Sequence, residues 1–307
     1  MLPPRPEDGH KGTFGTACIL GGVSSPPRIM LGGPAFSALA ALRVGCGLAV
    51  LAVPEPLMNA ALTIAPSATG LALPVDKRNR LKPSEVAELL DSYLRSFRCL
   101  AVGPGLGAEE PQQQIVVRLI AQDEVPLVLD ADAINALAAL SDFPRDFLAP
   151  AILTPHPGEY ERLAQALDLP HDPKDPAQRE AAAAALAGRL GCVVVLKGQH
   201  TVISDGINTF VNQTGNVSLA TAGTGDVLTG IVAGFVAQFF RPNLGAGSRQ
   251  ITADQQGGLS LVDCARFAVE LHGRAADAWA EKHGRAGMLA TDLLEELPVQ
   301  MRTMQEQ

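Results

Sequence analysis

The sequence predicts an α/β fold in which helices cover both faces of a mostly parallel central sheet. Short, continuously apolar segments alternate with helical patterns, which is typical of strands that are buried on both faces. Polar or glycine-rich turns follow several of these strands. Because neither a domain-sized linker nor an internal repeat is visible, we expect a single domain over residues 1–307, without a separate lid.

Apolar segments bounded by turn residues are interpreted as the strands. They lie within residues 17–22, 48–53, 99–107, 125–135, 150–163 and 192–198, and some of these segments include the following turn and helix start. A hairpin across Asp205 and Gly206 is predicted for residues 201–212.

Helical patterns fill the intervals between the strands. They cover residues 34–44, 55–63, 84–97 and 111–122 and the alanine run 181–187. Two or three further helices are expected after Asp226, interrupted by an irregular insert at about residues 241–258. The segment with Pro66, Pro74 and the charged cluster 76–82 is interpreted as a loop.

Composition excludes several classes of protein. Apolar residues make up 47% of the chain and charged residues 18%, which allows a sizeable core and excludes a disordered chain. The net charge is −8 and there is no long basic run, which argues against nucleic acid or an acidic membrane surface as the main partner. A local basic pocket for a nucleotide phosphate is compatible with this charge.

The cysteines and the N-terminal segment indicate a cytoplasmic protein. The five cysteines are odd in number and widely spaced, which favours buried free thiols in a reducing compartment over disulfides or a zinc site. Residues 1–12 contain no apolar signal-peptide core. Residues 56–75 are uncharged, but proline, glycine and polar residues interrupt them, so no membrane span is expected.

Residues 212–234 carry the clearest functional signal. A polar, glycine-rich segment runs into Gly223, Thr224, Gly225 and Asp226 and then directly into an apolar helical pattern. Glycine N–H groups and a helix N-terminus together form a cradle for phosphate or for a developing oxyanion. Asp226 is placed to take a proton from a substrate hydroxyl. The alternative is an aspartate that caps an ordinary helix.

The turns that follow other strands are further candidates, because ligands of open α/β sheets bind outside the carboxyl ends of the strands. The glycine-rich turn at residues 103–107 is either a binding loop or only a tight turn. Asp130 and Asp132 follow a buried strand, where one of them can hold Mg²⁺ through water or orient Asn135. We favour the simpler interpretation, N-capping of the next helix, for at least one of the two.

Three more polar residues occupy such turns. His156 lies between two prolines in a polar turn, which favours contact with a ligand. Glu159 is placed either to share a phosphate–metal site or to cap the helix. Lys197 can supply a positive charge to a nucleotide phosphate, or it is a solvated lysine at a strand end. His272 and His283 lack metal-ligand spacing and are expected to be packing or surface residues.

Together, and in this order, these motifs resemble those of the ADP/ATP-dependent NAD(P)H-hydrate dehydratases, carbohydrate-kinase-like members of the ribokinase superfamily. The matching segments span nearly the whole chain. They are residues 10–15, 41–48, 103–107, 128–137, 154–159, 195–203, 212–216 and 220–234.

The resemblance implies a ribokinase-like three-layer sandwich and an enzyme of metabolite repair. Its substrates would be NADHX and NADPHX, in which the nicotinamide ring of NADH or NADPH has added water. A nucleotide phosphorylates the ring hydroxyl of the S form, and phosphate then leaves as the C=C bond forms. Phosphate is a good leaving group where hydroxide is a poor one. Mg²⁺ and ADP or ATP are the implied cofactors, with ADP favoured for a stand-alone chain.

The resemblance also implies site residues. Asp226 matches the catalytic base, and Gly223, Thr224 and Gly225 match the phosphate cradle. The implied nucleotide contacts are Lys197, Gly198, Gln199, His200, Thr201 and Gly225. The implied contacts of the hydrated dinucleotide are Gly33, Gly107, His156 and Asp226. Glu159 and Asp130 are candidates for contact with Mg²⁺ through water, and a homotetramer is the implied assembly.

The chain departs from the family pattern in several places. Residues 23–33 replace a shorter turn, which obscures the match at Gly33. Val217 and Ser218 stand where the family often has Pro-Gly, and Ala222 stands where a glycine is common. The insert at residues 239–258 is interpreted as a solvent-exposed loop. The epimerase domain that precedes this region in many relatives does not occur in the sequence, so we expect no epimerisation.

Two other functions compete with the dehydratase. One is a kinase of the same superfamily that acts on a vitamin-precursor alcohol and releases a stable phosphorylated product. The other is a nucleotide-binding sensor without catalysis. The turns at residues 103–107 and 154–159 argue against the first, and the combination of Asp226 with Lys197 argues against the second.

Overall fold

The computed structural model describes residues 2–140, 142–241 and 258–306 of the chain. Its strands are β1 (Thr16–Leu20), β2 (Leu48–Pro54), β3 (Thr69–Leu73), β4 (Cys99–Val102), β5 (Leu127–Leu129), β6 (Ala151–Leu153), β7 (Val193–Leu196), β8 (Val202–Ser204) and β9 (Thr209–Val211). They form one nine-stranded sheet in the order β3-β2-β1-β4-β5-β6-β7-β8-β9. All pairs from β3 to β7 are parallel, and the pairs β7–β8 and β8–β9 are antiparallel.

The helices form a layer on each face of this sheet. The first layer consists of α1 (Gly32–Arg43), α2 (Met58–Ile64), α8 (Thr224–Phe239), α9 (Leu261–His283) and α10 (Ala290–Glu306). The second consists of α3 (Pro83–Tyr93), α4 (Glu110–Ile120), α5 (Asp132–Ala138), α6 (Pro157–Leu167) and α7 (Arg179–Leu190). The predicted three-layer α/β architecture is confirmed.

Each buried strand contributes to both apolar cores. In β1, Ala17 and Ile19 belong to the core under the first helix layer, and Cys18 and Leu20 belong to the other core. Successive side chains of a strand point to opposite faces, so a strand covered on both sides needs apolar residues at every position. This requirement explains why the parallel strands read as continuous apolar segments.

One strand contradicts the sequence-based prediction. Strand β3 lies in the segment that was interpreted as a loop, and it pairs in parallel with β2 at the edge of the sheet. It is short, largely exposed and contains Gly70, so it lacks the apolar run that identifies a buried strand. The glycine has a packing reason, because a Cβ at Gly70 would overlap the sulfur of Met58.

Other predictions agree with the structure. The hairpin across Asp205 and Gly206 is formed by β8 and β9. Three helices follow the glycine cradle in the described part of the chain, and all five cysteines are buried free thiols. The interpretation of the insert at residues 239–258 as an exposed loop concerns mainly residues 242–257, which lie outside the described residues. Within the described ranges, the helices are all too short or too polar to cross a membrane.

Candidate active site

Helix α8 begins at the predicted glycine cradle. Gly223 is the N-cap residue and has a φ of +90°, a conformation that glycine adopts without strain. Thr224 and Gly225 form the start of the helix, where the first N–H groups have no acceptor within the helix. Asp226 lies inside the first turn and makes no capping hydrogen bond. The alternative interpretation of Asp226 as an N-cap is therefore wrong.

Asp226 is a half-buried carboxyl group with an unusual protonation equilibrium. Burial, and then the negative charge of Asp130, raise its pKa to about 7, against an opposing effect of the Lys197 ammonium. A Cβ at Gly33 would lie 3.0 Å from Asp226 Oδ1, so the start of α1 lies directly against the carboxylate. The Ser37 hydroxyl of α1 donates a hydrogen bond of 2.7 Å to the Asp226 backbone carbonyl. A carboxyl group with a pKa near neutrality is suited to general-base catalysis.

Lys197 lies beside the cradle and not in solvent. Its Nζ atom is 2.6 Å from Asp130 Oδ1 and 3.8 Å from Glu159 Oε2. A Cβ at Gly225 would lie 3.8 Å from this Nζ atom, which places the ammonium against the first turn of α8. Burial by itself would lower the pKa of Lys197, but the carboxylates of Asp130 and Glu159 raise it above its usual value. The lysine is therefore a fixed positive charge, as the first interpretation predicts.

Asp130 does not cap a helix. Its buried carboxylate accepts hydrogen bonds from Lys197, from the Thr154 hydroxyl at 2.7 Å and from the Thr229 hydroxyl at 2.6 Å. Burial alone would raise the pKa of Asp130, but these donors, Lys197 first among them, lower it. Ala131 occupies the N-cap position of α5. The preferred interpretation of Asp130 or Asp132 as an N-cap is wrong, because the N-cap of α5 is Ala131 and no side chain caps this helix.

Asp132 connects two of the predicted turns. Its Oδ2 atom accepts a hydrogen bond of 2.8 Å from the Gly107 N–H group, and its Oδ1 atom lies 3.4 Å from Asn135 Nδ2. The glycine-rich turn at residues 103–107 is a tight turn, with positive φ angles at Gly103, Gly105 and Gly107. Asp132 holds Gly107 in place and orients Asn135, which is the alternative left open by the sequence.

His156 and Glu159 form a capping box at the start of α6. Nδ1 of His156 accepts from the N–H groups of Gly158 and Glu159, and the Glu159 carboxylate accepts from the His156 N–H group at 2.8 Å. Since Nδ1 is an acceptor, Nε2 carries the proton, and it lies 3.3 Å from Glu159 Oε1. Burial, followed by the charge of Lys197, lowers the pKa of His156. The capping role predicted as an alternative for Glu159 is confirmed, whereas capping by His156 was not predicted.

A cavity of about 630 Å³ opens beside the cradle. All six predicted nucleotide contacts line it, namely Lys197, Gly198, Gln199, His200, Thr201 and Gly225. The segment 212–216, which the sequence singled out as glycine-rich and polar, forms another wall. Gly33, Gly107, His156 and Asp226 are not among its lining residues. The structure therefore brings the predicted nucleotide set together in one cavity and leaves the predicted dinucleotide set outside it.

Two residues of α9 shape this cavity. His272 is buried, which agrees with the expected packing role, but its place at the cavity was not predicted, and nothing was predicted for Asp277. His272 lines the cavity, and its Nε2 atom lies 2.9 Å from the Thr224 carbonyl oxygen. Asp277 of α9 accepts hydrogen bonds of 2.8 Å from the Gly215 N–H group and from Asn216 Nδ2. No local signal identifies either residue, because the packing of α9 against α8 is a tertiary contact.

Arg179 is a third missed residue. It donates to the backbone carbonyls of Pro173, Leu196 and Lys197 at 2.8, 3.0 and 3.2 Å. Gly198 has a φ of +144°, and a Cβ there would lie 3.0 Å from the guanidinium Nη2 atom. The absence of a side chain at Gly198 lets the guanidinium lie directly under residues 197–201. Arg179 thus fixes the backbone that forms one wall of the cavity.

The carboxylates around the cradle form no magnesium site of their own in the described part of the chain. Across the described ranges, no group of three or more His, Cys, Asp or Glu side chains is arranged to hold a metal ion. The oxygens of Asp130 already accept from a lysine and two hydroxyl groups, which does not suit a metal ligand. Mg²⁺ is commonly held by substrate phosphates and water, with few protein ligands. The donor set therefore fits an ion that arrives with nucleotide phosphates.

The arrangement resembles that of known proteins over most of the chain. A family described as NAD(P)H-hydrate dehydratase matches residues 17–299. The ADP-dependent (S)-NAD(P)H-hydrate dehydratase of Bacillus subtilis is 34% identical over 97% of this chain and 92% of its own length. The bifunctional NAD(P)H-hydrate repair enzyme Nnr of Moorella thermoacetica is 35% identical, and the match covers 100% of this chain. The chain spans about half the length of this and similar bifunctional relatives, 53% in the Moorella case.

Solved structures agree with these sequence matches. The Bacillus subtilis ADP/ATP-dependent NAD(P)H-hydrate dehydratase, co-crystallised with ATP and Mg²⁺, superposes with a TM-score of 0.75 at 30% identity, covering 98% of this chain and 94% of that one. A hydroxyethylthiazole kinase of Pyrococcus horikoshii shares the fold, with a TM-score of 0.56 over 87% of this chain and 96% of that one. Its sequence identity to this chain is only 17%. The family match over residues 17–299 and the near full-length similarity to a stand-alone relative lead to one conclusion: the chain belongs to the NAD(P)H-hydrate dehydratase family.

Proposed function

We propose that the chain uses an adenine nucleotide to dehydrate the S form of NADHX and NADPHX to NADH and NADPH. The observation that carries the proposal is the position of Asp226. Its half-buried carboxyl group, with a pKa of about 7, lies in the first turn of α8, beside Gly225 and near the Lys197 ammonium. A base, N–H donors and a fixed positive charge thus converge at one point, which is what phosphoryl transfer requires.

In the proposed first step, the Asp226 carboxylate takes the proton of the ring hydroxyl. The hydroxyl oxygen attacks the terminal phosphorus of the nucleotide, and the bond from phosphorus to the bridging oxygen breaks, releasing AMP when the donor is ADP. Phosphate then leaves the ring with its bonding electron pair while a proton leaves the neighbouring carbon, which forms the C=C bond. The net reaction converts the hydrate and ADP into the reduced dinucleotide, AMP and phosphate.

The residues of the chain bind and position the reacting groups. The N–H groups at Gly223, Thr224 and Gly225 would hold the transferred phosphoryl group, and Lys197 would balance its charge. The cavity lined by Lys197, Gly198, Gln199, His200 and Thr201 would hold the nucleotide. Mg²⁺ bound to the nucleotide phosphates would supply further neutralisation of charge. Gly33, Gly107 and His156 remain the proposed contacts of the hydrated dinucleotide.

The finer assignments belong to the same proposal. ADP is the proposed donor, because the relative that matches over 92% of its length is named ADP-dependent. A single-domain, cytoplasmic protein that assembles as a homotetramer is proposed from the family resemblance. Gel filtration with light scattering tests the assembly.

The decisive experiment measures the near-ultraviolet absorbance of reduced nicotinamide with purified protein, NADHX, Mg²⁺ and either ADP or ATP. We expect an increase that depends on the nucleotide and is lost in Asp226→Asn. Asp123→Asn is the matched control, because Asp123 is exposed and precedes β5, at the opposite end of this strand from Asp130. Folded wild-type protein that leaves NADHX unchanged but phosphorylates a vitamin-precursor alcohol would establish the kinase instead.

A further inference from the structure

We propose that Asp130 is a positioning residue that holds the Lys197 ammonium and helix α8 in a fixed mutual arrangement. The inference rests on the proposed function, because the groups that it positions are the proposed charge and base of phosphoryl transfer. The carboxylate of Asp130 does not line the cavity beside the cradle and does not cap a helix, so its role is otherwise unexplained.

The first part of the argument is the position of Asp130 in the sheet. It directly follows β5, and Thr154 and Lys197 directly follow β6 and β7, the next two strands across the sheet. The carboxylate accepts hydrogen bonds from both, at 2.7 Å from Thr154 and 2.6 Å from Lys197. It therefore joins three neighbouring strand ends beneath the site.

The second part is a link from the sheet to the helix. Thr229 of α8 donates a hydrogen bond of 2.6 Å to the other carboxylate oxygen of Asp130. Residues three apart on a helix share a face, so Thr229 lies one turn beyond Asp226 on the same side of α8. This bond fixes the rotation of α8 about its axis and, with it, the direction of the Asp226 side chain. Both Thr229 and Asp130 are almost completely buried, at 0% and 2% exposure.

The third part is electrostatic. The Asp130 carboxylate compensates the buried Lys197 ammonium, and its charge also acts on Asp226. The other charged groups that act on Asp226 are Asp132 at the start of α5, Glu159 on α6 and Lys197 after β7. Helix α9 brings the neutral His272 to the Thr224 carbonyl, and α1 contributes the uncharged Gly33 and Ser37. Removal of the Asp130 carboxylate would leave the buried Lys197 ammonium uncompensated, which destabilises the folded protein.

The chain offers a matched pair of variants for the test. Thr229→Val and Thr154→Val each remove one buried hydroxyl that donates to Asp130, but only Thr229 belongs to the helix of Asp226. If Asp130 positions α8, Thr229→Val lowers kcat about tenfold and Thr154→Val by less than about twofold. Thermal melting of both variants measures the loss of stability, which we expect to be similar. Equal losses of kcat would overturn the proposal.

A second measurement does not need activity. The titration of the Asp226 carboxyl is followed by carbon NMR, with its signal identified by its loss in Asp226→Asn. In Asp130→Asn the removed negative charge lowers the pKa of Asp226 by about one unit, whereas Thr154→Val leaves it unchanged. An unchanged pKa in Asp130→Asn, or an equal shift in Thr154→Val, would refute the proposal. If wild type lacks dehydratase activity but Asp130→Asn still lowers the pKa of Asp226, the proposed function is wrong and the positioning role of Asp130 stands.

Discussion

The imidazole of His272 donates a hydrogen bond from Nε2 to the backbone carbonyl of Thr224, over 2.9 Å. The carbonyl can only accept, so the neutral ring must carry its proton on Nε2. Burial lowers the pKa of His272 to about 4. A histidine on α9 thus supports the first turn of the helix that carries Asp226.

The burial of His272 predicts a pH-dependent stability. The folded-state pKa of about 4 lies below the ordinary value of 6.5, so acid drives protons onto the unfolded chain first. The stabilising contribution is complete above the ordinary value and is lost as the pH falls towards 4. Over this window wild type should lose about 3 kcal/mol more free energy of unfolding than His272→Gln. Urea unfolding at pH 6.5 and at about pH 4 measures this difference in the free energy of unfolding, with His283→Gln as the exposed control. Equal losses in wild type and His272→Gln would contradict the prediction.

Replacement of the proposed base should separate activity from stability. Asp226→Asn should lower the dehydration rate by about 10²–10⁴. In wild type, the raised pKa of the Asp226 carboxyl group means that the folded protein keeps this proton up to about pH 7. The unfolded chain releases it near 3.8, so wild type loses stability as the pH rises from 3.8 towards 7. Asp226→Asn should therefore melt at a higher temperature than wild type above neutrality, with little advantage in acid. A variant that melts lower at every pH would show that the carboxylate is stabilising.

The Arg179 contacts predict an effect on nucleotide affinity. Two different guanidinium nitrogens donate to the carbonyls of Pro173, Leu196 and Lys197, and a single lysine ammonium cannot take both positions. Residues 197–201 should therefore lose their fixed position. We expect Arg179→Lys to weaken ADP binding about tenfold in isothermal titration, with a smaller effect on kcat. Arg189→Lys, at an exposed position of the same helix, is the control. Unchanged affinity in Arg179→Lys would contradict the assignment.

Removal of divalent metal should stop turnover without destabilising the protein. Over the described part of the chain no carboxylate or histidine cluster is arranged to hold an ion, so Mg²⁺ is expected to arrive with the nucleotide. A chelator should abolish the absorbance increase and leave the melting temperature of the nucleotide-free protein unchanged. A lower melting temperature after chelation would reveal an ion held by the protein itself.

The close contact between α1 and α8 predicts that adding a methyl group at a glycine of α8 destabilises the protein. A Cβ at Gly230 would overlap the Ser37 carbonyl oxygen, and one at Gly234 would lie 3.0 Å from the Ala41 Cα atom. Gly230→Ala should therefore lower the free energy of unfolding by about 2 kcal/mol. Gly188→Ala is the matched control, because nothing lies within 4 Å of a Cβ there. Because alanine favours the helix over glycine, Gly188→Ala should raise the free energy of unfolding by up to about 1 kcal/mol. Equal effects would exclude close packing as the cause.

Much of the fold could be predicted because parallel strands and amphipathic helices leave local patterns. The continuous apolar runs at β1, β4 and β7 each correspond to a strand buried on both faces. Strand β3 escaped prediction because an edge strand that contains Gly70 has little apolar surface to bury. The sequence also grouped six residues that line one cavity beside the cradle, and five of them are contiguous in the sequence.

The sequence by itself determined the family, the α/β architecture and the position of Asp226 at a glycine-rich helix start. These properties depend on local order along the chain, because a turn, a cap or a helix start is formed by neighbouring residues. Only the tertiary structure decided which distant groups meet. It paired Asp130 with Lys197 and Thr229, placed His272 under Thr224 and Arg179 under Gly198, and buried Asp226 enough to raise its pKa. Burial and charge pairing depend on elements that are far apart in the chain, and therefore no local pattern reports them.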